Sequence, residues 1–456
     1  MTHFLHEFFY PRTVAVIGAT DKPTKPGRAI MENLAGFTGE VFPVNPKHTE
    51  LFGRRCYPSI TDIPGTVDLA VIALPVIAVE AAFAEIVMKK IQRLIMITSG
   101  FAEAGEEGKR LQERLRQAAI KYGIRIIGPN SLGVFNTKNG FTSFFVSPER
   151  IMKPQPGNLS IISQSGAIAV IMMEAMARNG IGIAKAINYG NRVDVDEADA
   201  LDYLTEDDQT SAVVMYIESV GDGRKFLQTA KKFASRKPLI VWKAGKQEMG
   251  ASAVASHTAT LAGRYALYEA AIRQSGAVEA YSFEHALDAA KVVSLLHHTC
   301  VGNRLLIVTN GGGMAVAAAD AAAREGFVMP PVPEGVREVL RRSFPAFFVL
   351  NNPIDITGSG SDDDYYRALT EALPHYDAAV VIVLTGTTTV TEKSAEIIAR
   401  ACKELRKPVA TCMLQGMRYA EDVEKSVQKL GIPAFPSPER AVRALAVLRR
   451  SGCTLK

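Results

Sequence analysis

Short apolar runs alternate with stretches of helical period along almost the whole chain. Thr13–Ile17, Val41–Val44, Leu69–Leu74, Leu94–Thr98 and Arg125–Ile127 are apolar without polar alternation. That is the pattern of parallel strands covered by helices on both faces. Between them, Ala78–Lys90 and Glu106–Lys121 space their apolar residues as helices do. These segments predict a doubly wound unit over residues 1–136. A loop rich in Gly, Phe, Ser and Pro follows, from Phe135 to Gly157. A second series over 157–298 contains Leu159–Ser163, Ala212–Ile217 and Leu239–Trp242 and closes with the helical Phe283–Leu296. A third over 302–456 contains Arg304–Thr309, Ala378–Leu384 and Val409–Met413 and ends in the helical Pro438–Arg450. The expectation is an α/β chain of three domains.

Length agrees, since 456 residues is about three times the common domain size of roughly 150. Charged residues at 22% and hydrophobic ones at 47% fit a globular chain. A net charge of +5 is small for this length and argues against a general nucleic-acid binder. The five cysteines form no CxxC pair, so neither a disulfide framework nor a thiolate metal site is expected. No signal peptide or membrane span is visible, and a cytoplasmic enzyme is the expectation.

Each domain opens with a strand running into a small-residue turn: VAVIGAT at Val14–Thr20, LSIISQSGA at Leu159–Ala167 and LLIVTNGGGMA at Leu305–Ala315. Such turns bring backbone N–H groups and a helix N-terminus toward an anion. Three in one chain point to phosphate handling at more than one place. The first turn, Gly18-Ala19-Thr20 with Lys22 and Lys25 beyond it, lacks the second glycine of GxGxxG. The second strand ends Val44-Asn45-Pro46-Lys47, where a dinucleotide site wants an acid for the ribose hydroxyls. A lysine there suits a ribose phosphate, which leaves NADP and coenzyme A. Leu74-Pro75, Ser99-Gly100 and Asn130 follow the next strands at the same carboxyl edge, where open α/β sheets bind ligands.

Among eight histidines, His257 stands apart. It lies in a stretch of small and polar residues read as a loop, ending Ala255-Ser256-His257-Thr258-Ala259-Thr260-Leu261-Ala262-Gly263. A neutral imidazole can attack a phosphoryl group, and the phosphoramidate formed is a reactive donor. Glu218, just past the strand Ala212–Ile217, is placed to accept the other imidazole N–H.

VAVIGAT, VFPVNPKH, DLAVIALP, MITSGFAE and IIGPNSLGVFN, in this order, resemble the coenzyme A-binding domain of the NDP-forming acyl-CoA synthetases, a superfamily that includes succinyl-CoA ligase and ADP-forming acetate–CoA ligase. The resemblance covers essentially the whole chain. It implies a Rossmann-like coenzyme A-binding domain followed by two flavodoxin-like ligase domains. SHTATLAG is similar to the family's phosphohistidine loop, with Ala259 where a glycine is usual. Gln164, Ser165 and Gly166, and Gly311, Gly312 and Gly313, resemble the two helix N-termini that bracket the phosphohistidine. Val170 stands where a succinate-using relative has tyrosine, which hints at a less polar acyl pocket.

No stretch reads as an ATP-grasp domain, and the GxxxxGK[ST] loop is absent. The resemblance therefore implies an alpha-type subunit, with ATP or ADP and magnesium on a beta-type ATP-grasp partner. The expected activity is a reversible ADP-forming acid–CoA ligase acting on a small carboxylic acid, with no metal on this chain. Two alternatives stay open here: a coenzyme A- or acyl-CoA-sensing protein without turnover, and an NADP-dependent oxidoreductase.

Overall fold

The structure, a computed structural model, describes residues 3–451 except 148, 259–262, 297–298, 300, 392 and 415–416. For 255–258 and 417–419 it describes backbone only. The chain divides into two compact units, Met1–Tyr281 and Ser282–Lys456.

The first unit carries two sheets. In the first, β1 (Thr13–Ile17), β2 (Glu40–Val44), β3 (Leu69–Ile72), β4 (Arg93–Met96) and β5 (Arg125–Ile127) run in the order β2-β1-β3-β4-β5. All neighbours are parallel. The strands are nearly solvent-free on both faces, as unbroken apolar runs require. The chain order reverses direction between β1 and β3, so the turns after the strands open at a topological switch point.

The second sheet comprises β6 (Gly133–Asn136), β7 (Pro156–Ser163), β8 (Ile183–Asn188), β9 (Ala212–Ile217), β10 (Leu239–Lys243) and β11 (Val278–Ala280), in the order β11-β10-β9-β7-β8-β6. The segment ending near Asn136, read as the tail of the first domain, leaves its sheet. As β6 it pairs antiparallel with β8, and Lys185 faces Asn136. Sequence pattern assigns a strand but not its partner, because a short apolar run fits either edge equally well.

One apolar cluster joins the two sheets through Val16, Ile95, Ile162 and Met215. The N-terminal helix His6–Phe9 plugs its rim with Phe8 and Phe9, both buried. Phe9 stacks on Tyr203 at 5.2 Å. Arg125 forms a fork to Asp194 at 2.8 and 3.1 Å, tying the end of the first sheet to the segment after β8.

The second unit builds its sheet from β12 (Leu305–Thr309), β13 (Val349–Leu350), β14 (Ile354–Asp355), β15 (Ala378–Leu384), β16 (Val409–Leu414) and β17 (Ala434–Phe435), ordered β13-β14-β12-β15-β16-β17. The helix Phe283–Leu295, read from sequence as closing the second series, belongs to this unit. Its buried Asp288 takes a bidentate pair from Arg440 of the helix Pro438–Arg450, at 2.7 Å for each bond. Lys291 donates to the Ala434 carbonyl at 2.8 Å.

Candidate functional site

At the carboxyl edge of the first sheet the turns are laced together by backbone. The Gly18 N–H donates to the Val44 carbonyl at 3.0 Å, and the Asn130 N–H to the Thr98 carbonyl at 2.9 Å. Thr98 Oγ1 donates to the Leu74 carbonyl at 2.7 Å. Gly18 is at φ 95°, and a Cβ there would sit 2.6 Å from the Ala73 oxygen. A Cβ on Gly27, in the first turn of the helix Pro26–Asn33, would meet the Gly18 oxygen at 2.0 Å. The helix thus starts directly against the glycine turn, which is what backbone approach to a polyphosphate needs.

Asn45 is committed inside this frame. Its Nδ2 donates to the Ala19 carbonyl at 2.8 Å and its Oδ1 accepts from the Lys47 N–H at 2.9 Å. Ala19 and Thr20 are buried. Lys22, Lys25 and Lys47 are exposed around the turn, as are Pro75 and Ser99, while Leu74 and Gly100 are half-buried. Gly100, at φ 103°, donates its N–H to Glu103 Oε1 at 2.6 Å.

The second sheet presents a different edge. A cleft of about 850 Å³ opens at the ends of β7, β8 and β9, and Asn130, Gln164, Ser165, Gly166, Arg192 and Glu218 all line it. Its apolar wall is Ile97, Leu132, Phe145, Val170, Ile171 and Val193, and Lys109, Glu113 and Arg116 also line it. Val170, where the sequence hinted at a less polar acyl pocket, is part of that wall.

Ser165 caps the helix Gly166–Arg178, its side chain accepting from the Ile168 N–H. The helix N-terminus borders the cleft and supplies the partial positive charge of aligned peptide dipoles. Gln164 does something the sequence did not suggest. Its Oε1 accepts from the N–H groups of Glu218 at 2.9 Å and Ser219 at 3.0 Å, and its Nε2 donates to Ser219 Oγ at 3.3 Å. Its side chain braces the Glu218 turn. Glu218 is 3% exposed and accepts from the Tyr216 hydroxyl at 3.2 Å. Burial and that carboxylate push the Tyr216 hydroxyl well above the usual range, so it stays a donor.

His257 lies in the last turn of a helix, Glu248–Thr258, and not in an open loop. The run of small residues that read as a loop is Ala- and Ser-rich enough to continue as helix. The helix folds back on the end of β10, since a Cβ on Gly245 would touch Val254 at 3.0 Å. It also runs beside Ala102–Ala104, and Ala102 lines the cleft. The imidazole of His257 and residues Ala259, Thr260, Leu261 and Ala262 lie outside the described residues and side chains.

Sequence reasoning missed Lys243, the last residue of β10, which is fully buried. Its ammonium donates to the Ala244 carbonyl and stands 4.5 Å from the Tyr268 ring centroid. Burial lowers its pKa to about 8, partly countered by Glu218. The apolar run Leu239–Trp242 signals a strand but says nothing of a cation at its end. It also missed Arg192, which has no motif of its own.

In the second unit, Gly311 caps the helix Gly312–Arg324, and its N–H donates to Thr309 Oγ1 at 2.9 Å. A Cβ on Gly312 would meet Asp355 Oδ2 at 2.6 Å, whereas one on Gly313 would meet nothing within 4 Å. Among the described residues no group of three or more His, Cys, Asp or Glu could hold a metal, and no helix is long and apolar enough to cross a membrane.

Comparison with known proteins bears on this arrangement. Residues 12–137 match a CoA binding domain, 156–293 a succinyl-CoA ligase like flavodoxin domain and 305–451 a Ligase-CoA domain. The expected fold class, a Rossmann-like domain followed by two flavodoxin-like ligase domains, is therefore the fold of the chain. A solved structure from Ca. Korarchaeum cryptofilum, a dinucleotide forming acetyl-coenzyme A synthetase 1 in complex with phosphate and ADP, is similar at a TM-score of 0.91 with 37% identity. That match covers 99% of this chain and 97% of the other. The alpha subunit of acetate–CoA ligase [ADP-forming] I from Pyrococcus furiosus is 39% identical over 97% of both chains. Acetate–CoA ligase [ADP-forming] I from Archaeoglobus fulgidus is 40% identical over 98% of this chain, which spans 63% of that relative's length. The chain belongs to the ADP-forming acid–CoA ligase family and corresponds to its alpha-type portion. An NADP-dependent oxidoreductase is thereby set aside.

Proposed function

We propose that this chain makes and cleaves acyl-CoA thioesters, coupling the thioester to phosphoryl transfer through His257. A single observation carries the reading. The Asn130 turn of the coenzyme A-binding domain, the Ser165 helix N-terminus and the carboxylate of Glu218 line one cleft, and the backbone of the His257 helix runs beside it.

In the direction of thioester cleavage, a phosphate oxygen attacks the acyl carbon, the C–S bond breaks and coenzyme A leaves as thiolate. An imidazole nitrogen of His257 then attacks phosphorus, the P–O bond to the acyl group breaks and the carboxylic acid leaves as its anion. An ADP oxygen takes the phosphoryl group from His257. The helix N-terminus at Ser165 stabilises the phosphate charge without a metal. Glu218 holds the imidazole tautomer and offsets the charge that grows on it.

Gly18 to Thr20, Lys22, Lys25, Asn45, Lys47, Leu74, Pro75, Ser99 and Gly100 bind coenzyme A in this reading, with the exposed lysines on its phosphates. Gly311 to Gly313 form a second phosphate-binding turn. ATP or ADP with magnesium belongs to a beta-type ATP-grasp partner, and no step on this chain runs through the metal. The substrate is a small carboxylic acid whose tail meets the apolar wall at Val170 and Ile171.

The test is phosphoryl transfer from γ-labelled ATP to this chain in the presence of a nucleotide-binding partner. Acid-labile, base-stable label is expected on the wild-type chain and none on His257→Ala. Label that persists in His257→Ala removes the reading. A panel of acetate, propionate, branched, aryl and dicarboxylic acids with the reconstituted complex then identifies the acyl group, and the apolar wall predicts that dicarboxylic acids are the poorest.

A further inference from the structure

Between β8 and the helix Glu197–Thr205, the segment Tyr189–Val193 touches both carboxyl edges of the first unit. On one side it is pinned to the Gly128–Asn130 turn. The Asn191 N–H donates to the Pro129 carbonyl at 2.9 Å, and the Val193 N–H to the Gly128 carbonyl at 3.0 Å. Gly190 lies so close that a Cβ would sit 2.3 Å from the oxygens of both Pro129 and Asn130. Asn191 Nδ2 donates to Glu103 Oε2 at 2.5 Å and Gln112 Oε1 at 3.1 Å.

On the other side stands Arg192, a non-glycine residue at φ 47°, a left-handed conformation that must be held by its surroundings. Its guanidinium turns to the Glu218 turn. Nη1 donates to the Ser219 carbonyl at 2.7 Å and Nη2 to Ser219 Oγ at 2.9 Å. Nη1 also lies 3.6 Å from Glu197 Oε2. The side chain of Glu197 is 1% exposed, and its Oε1 accepts from the Gly221 N–H at 3.1 Å. Glu197 and Arg192 therefore clamp both ends of the stretch Ser219–Gly221, while Gln164 holds the N–H groups of Glu218 and Ser219 from below. A surface arginine would not need a buried carboxylate to balance it. Burying such a pair costs desolvation of both ions, so it is weak as a stabilising device and better suited to fixing geometry.

We infer that Arg192 is a positioning residue for phosphoryl relay: it sets Glu218 through Ser219 and fixes that carboxylate relative to the coenzyme A-side turn at Gly128–Asn130. Although Arg192 borders the cleft, both hydrogen bonds of its guanidinium go to Ser219 and its ion pair to Glu197, so it acts through the turn. The inference rests on the reading of His257 and Glu218 given above.

The test uses the full chain and labelled acetyl phosphate, whose O–P bond breaks as the imidazole is phosphorylated and acetate leaves. Single-turnover label transfer is followed against acetyl phosphate concentration, with coenzyme A affinity measured in parallel by calorimetry. Arg192→Met is expected to slow the limiting rate about 100-fold, the loss that follows from a misplacement near 1 Å. Half-saturation and coenzyme A affinity should stay within about twofold, because the substrate-binding turns are untouched. Arg192→Lys, which keeps a cation beside Glu197 but loses the fork to Ser219, should recover part of the rate. It carries the test if Arg192→Met does not fold. Equal limiting rates in wild type and Arg192→Lys, or a loss that appears wholly in half-saturation, overturns the inference. Absence of label on the wild-type chain both from acetyl phosphate and from γ-labelled ATP with a nucleotide-binding partner would instead sink the phosphohistidine reading itself.

Discussion

The two carboxyl edges of the first unit carry their polar and charged groups in different ways. Around the first sheet the cations are exposed lysines and the polar side chain in the frame, Asn45, is spent on backbone. Around the second sheet, Glu218, Glu197 and Lys243 are buried, and Arg192 and Glu197 direct their hydrogen bonds at the Glu218 turn, while Lys109 and Glu113 of the same cleft stay exposed. An exposed edge holds a flexible polyanion by many weak, screened contacts. A buried edge fixes few groups in one geometry, where each charge acts in a low effective dielectric. The first arrangement suits binding and the second suits chemistry.

Substitutions should separate the two edges by size and by kind of effect. The largest change is expected from Glu218→Gln, which keeps the shape but removes the charge. Phosphoryl transfer to His257 should fall by about 10²- to 10⁴-fold, the usual range for a general base, with coenzyme A affinity unchanged. A rate within a few-fold of wild type would make Glu218 a structural acid only. Lys47→Ala should do the reverse. Coenzyme A binding should weaken by about tenfold, or ~1.4 kcal/mol, and the difference should shrink as salt rises. Dephospho-coenzyme A, lacking the ribose 3′-phosphate, should show no such difference between wild type and variant.

The smallest effect concerns stability and pH. Lys243 has a folded pKa lowered to about 8 from 10.5. Between those values the unfolded chain keeps a proton that the folded chain has released, so folding stability from this group rises with pH. Urea midpoints of wild type and Lys243→Met at pH 7.5 and 10 read this out. The wild type should gain on the variant at the higher pH. Parallel pH dependences would show that Lys243 keeps its charge through contacts beyond Ala244 and Tyr268.

Much of the architecture was legible because buried parallel strands leave an unmistakable trace. Thr13–Ile17, Arg125–Ile127, Ala212–Ile217, Ala378–Leu384 and Pro438–Arg450 have the bounds their patterns give. Pairing was not legible. Gly133–Asn136 crosses to the second sheet, and Phe283–Leu295 is held by the Asp288–Arg440 pair in the second unit. Both outcomes depend on contacts far apart in sequence. The site divides in the same way. Gly18, Gly166, Glu218 and His257 stand in motifs or at strand ends, so residue type and spacing expose them. Arg192 and Lys243 belong to no motif: the first is distinguished by its hydrogen bonds to Ser219 and the second by its burial.

By itself, then, the sequence determined the chemistry available to this protein: strands that must be covered on both faces, turns that must be glycine, one histidine among small residues and one acid at a strand end. Those are local demands of backbone conformation and side-chain type. Only the tertiary structure decided how that chemistry is held. It put the His257 residue on a helix, turned Gln164 and Arg192 onto the Glu218 turn, and buried Glu218, Glu197 and Lys243. Burial and hydrogen-bond direction are properties of the packed chain, set by which distant segments exclude water from which charge.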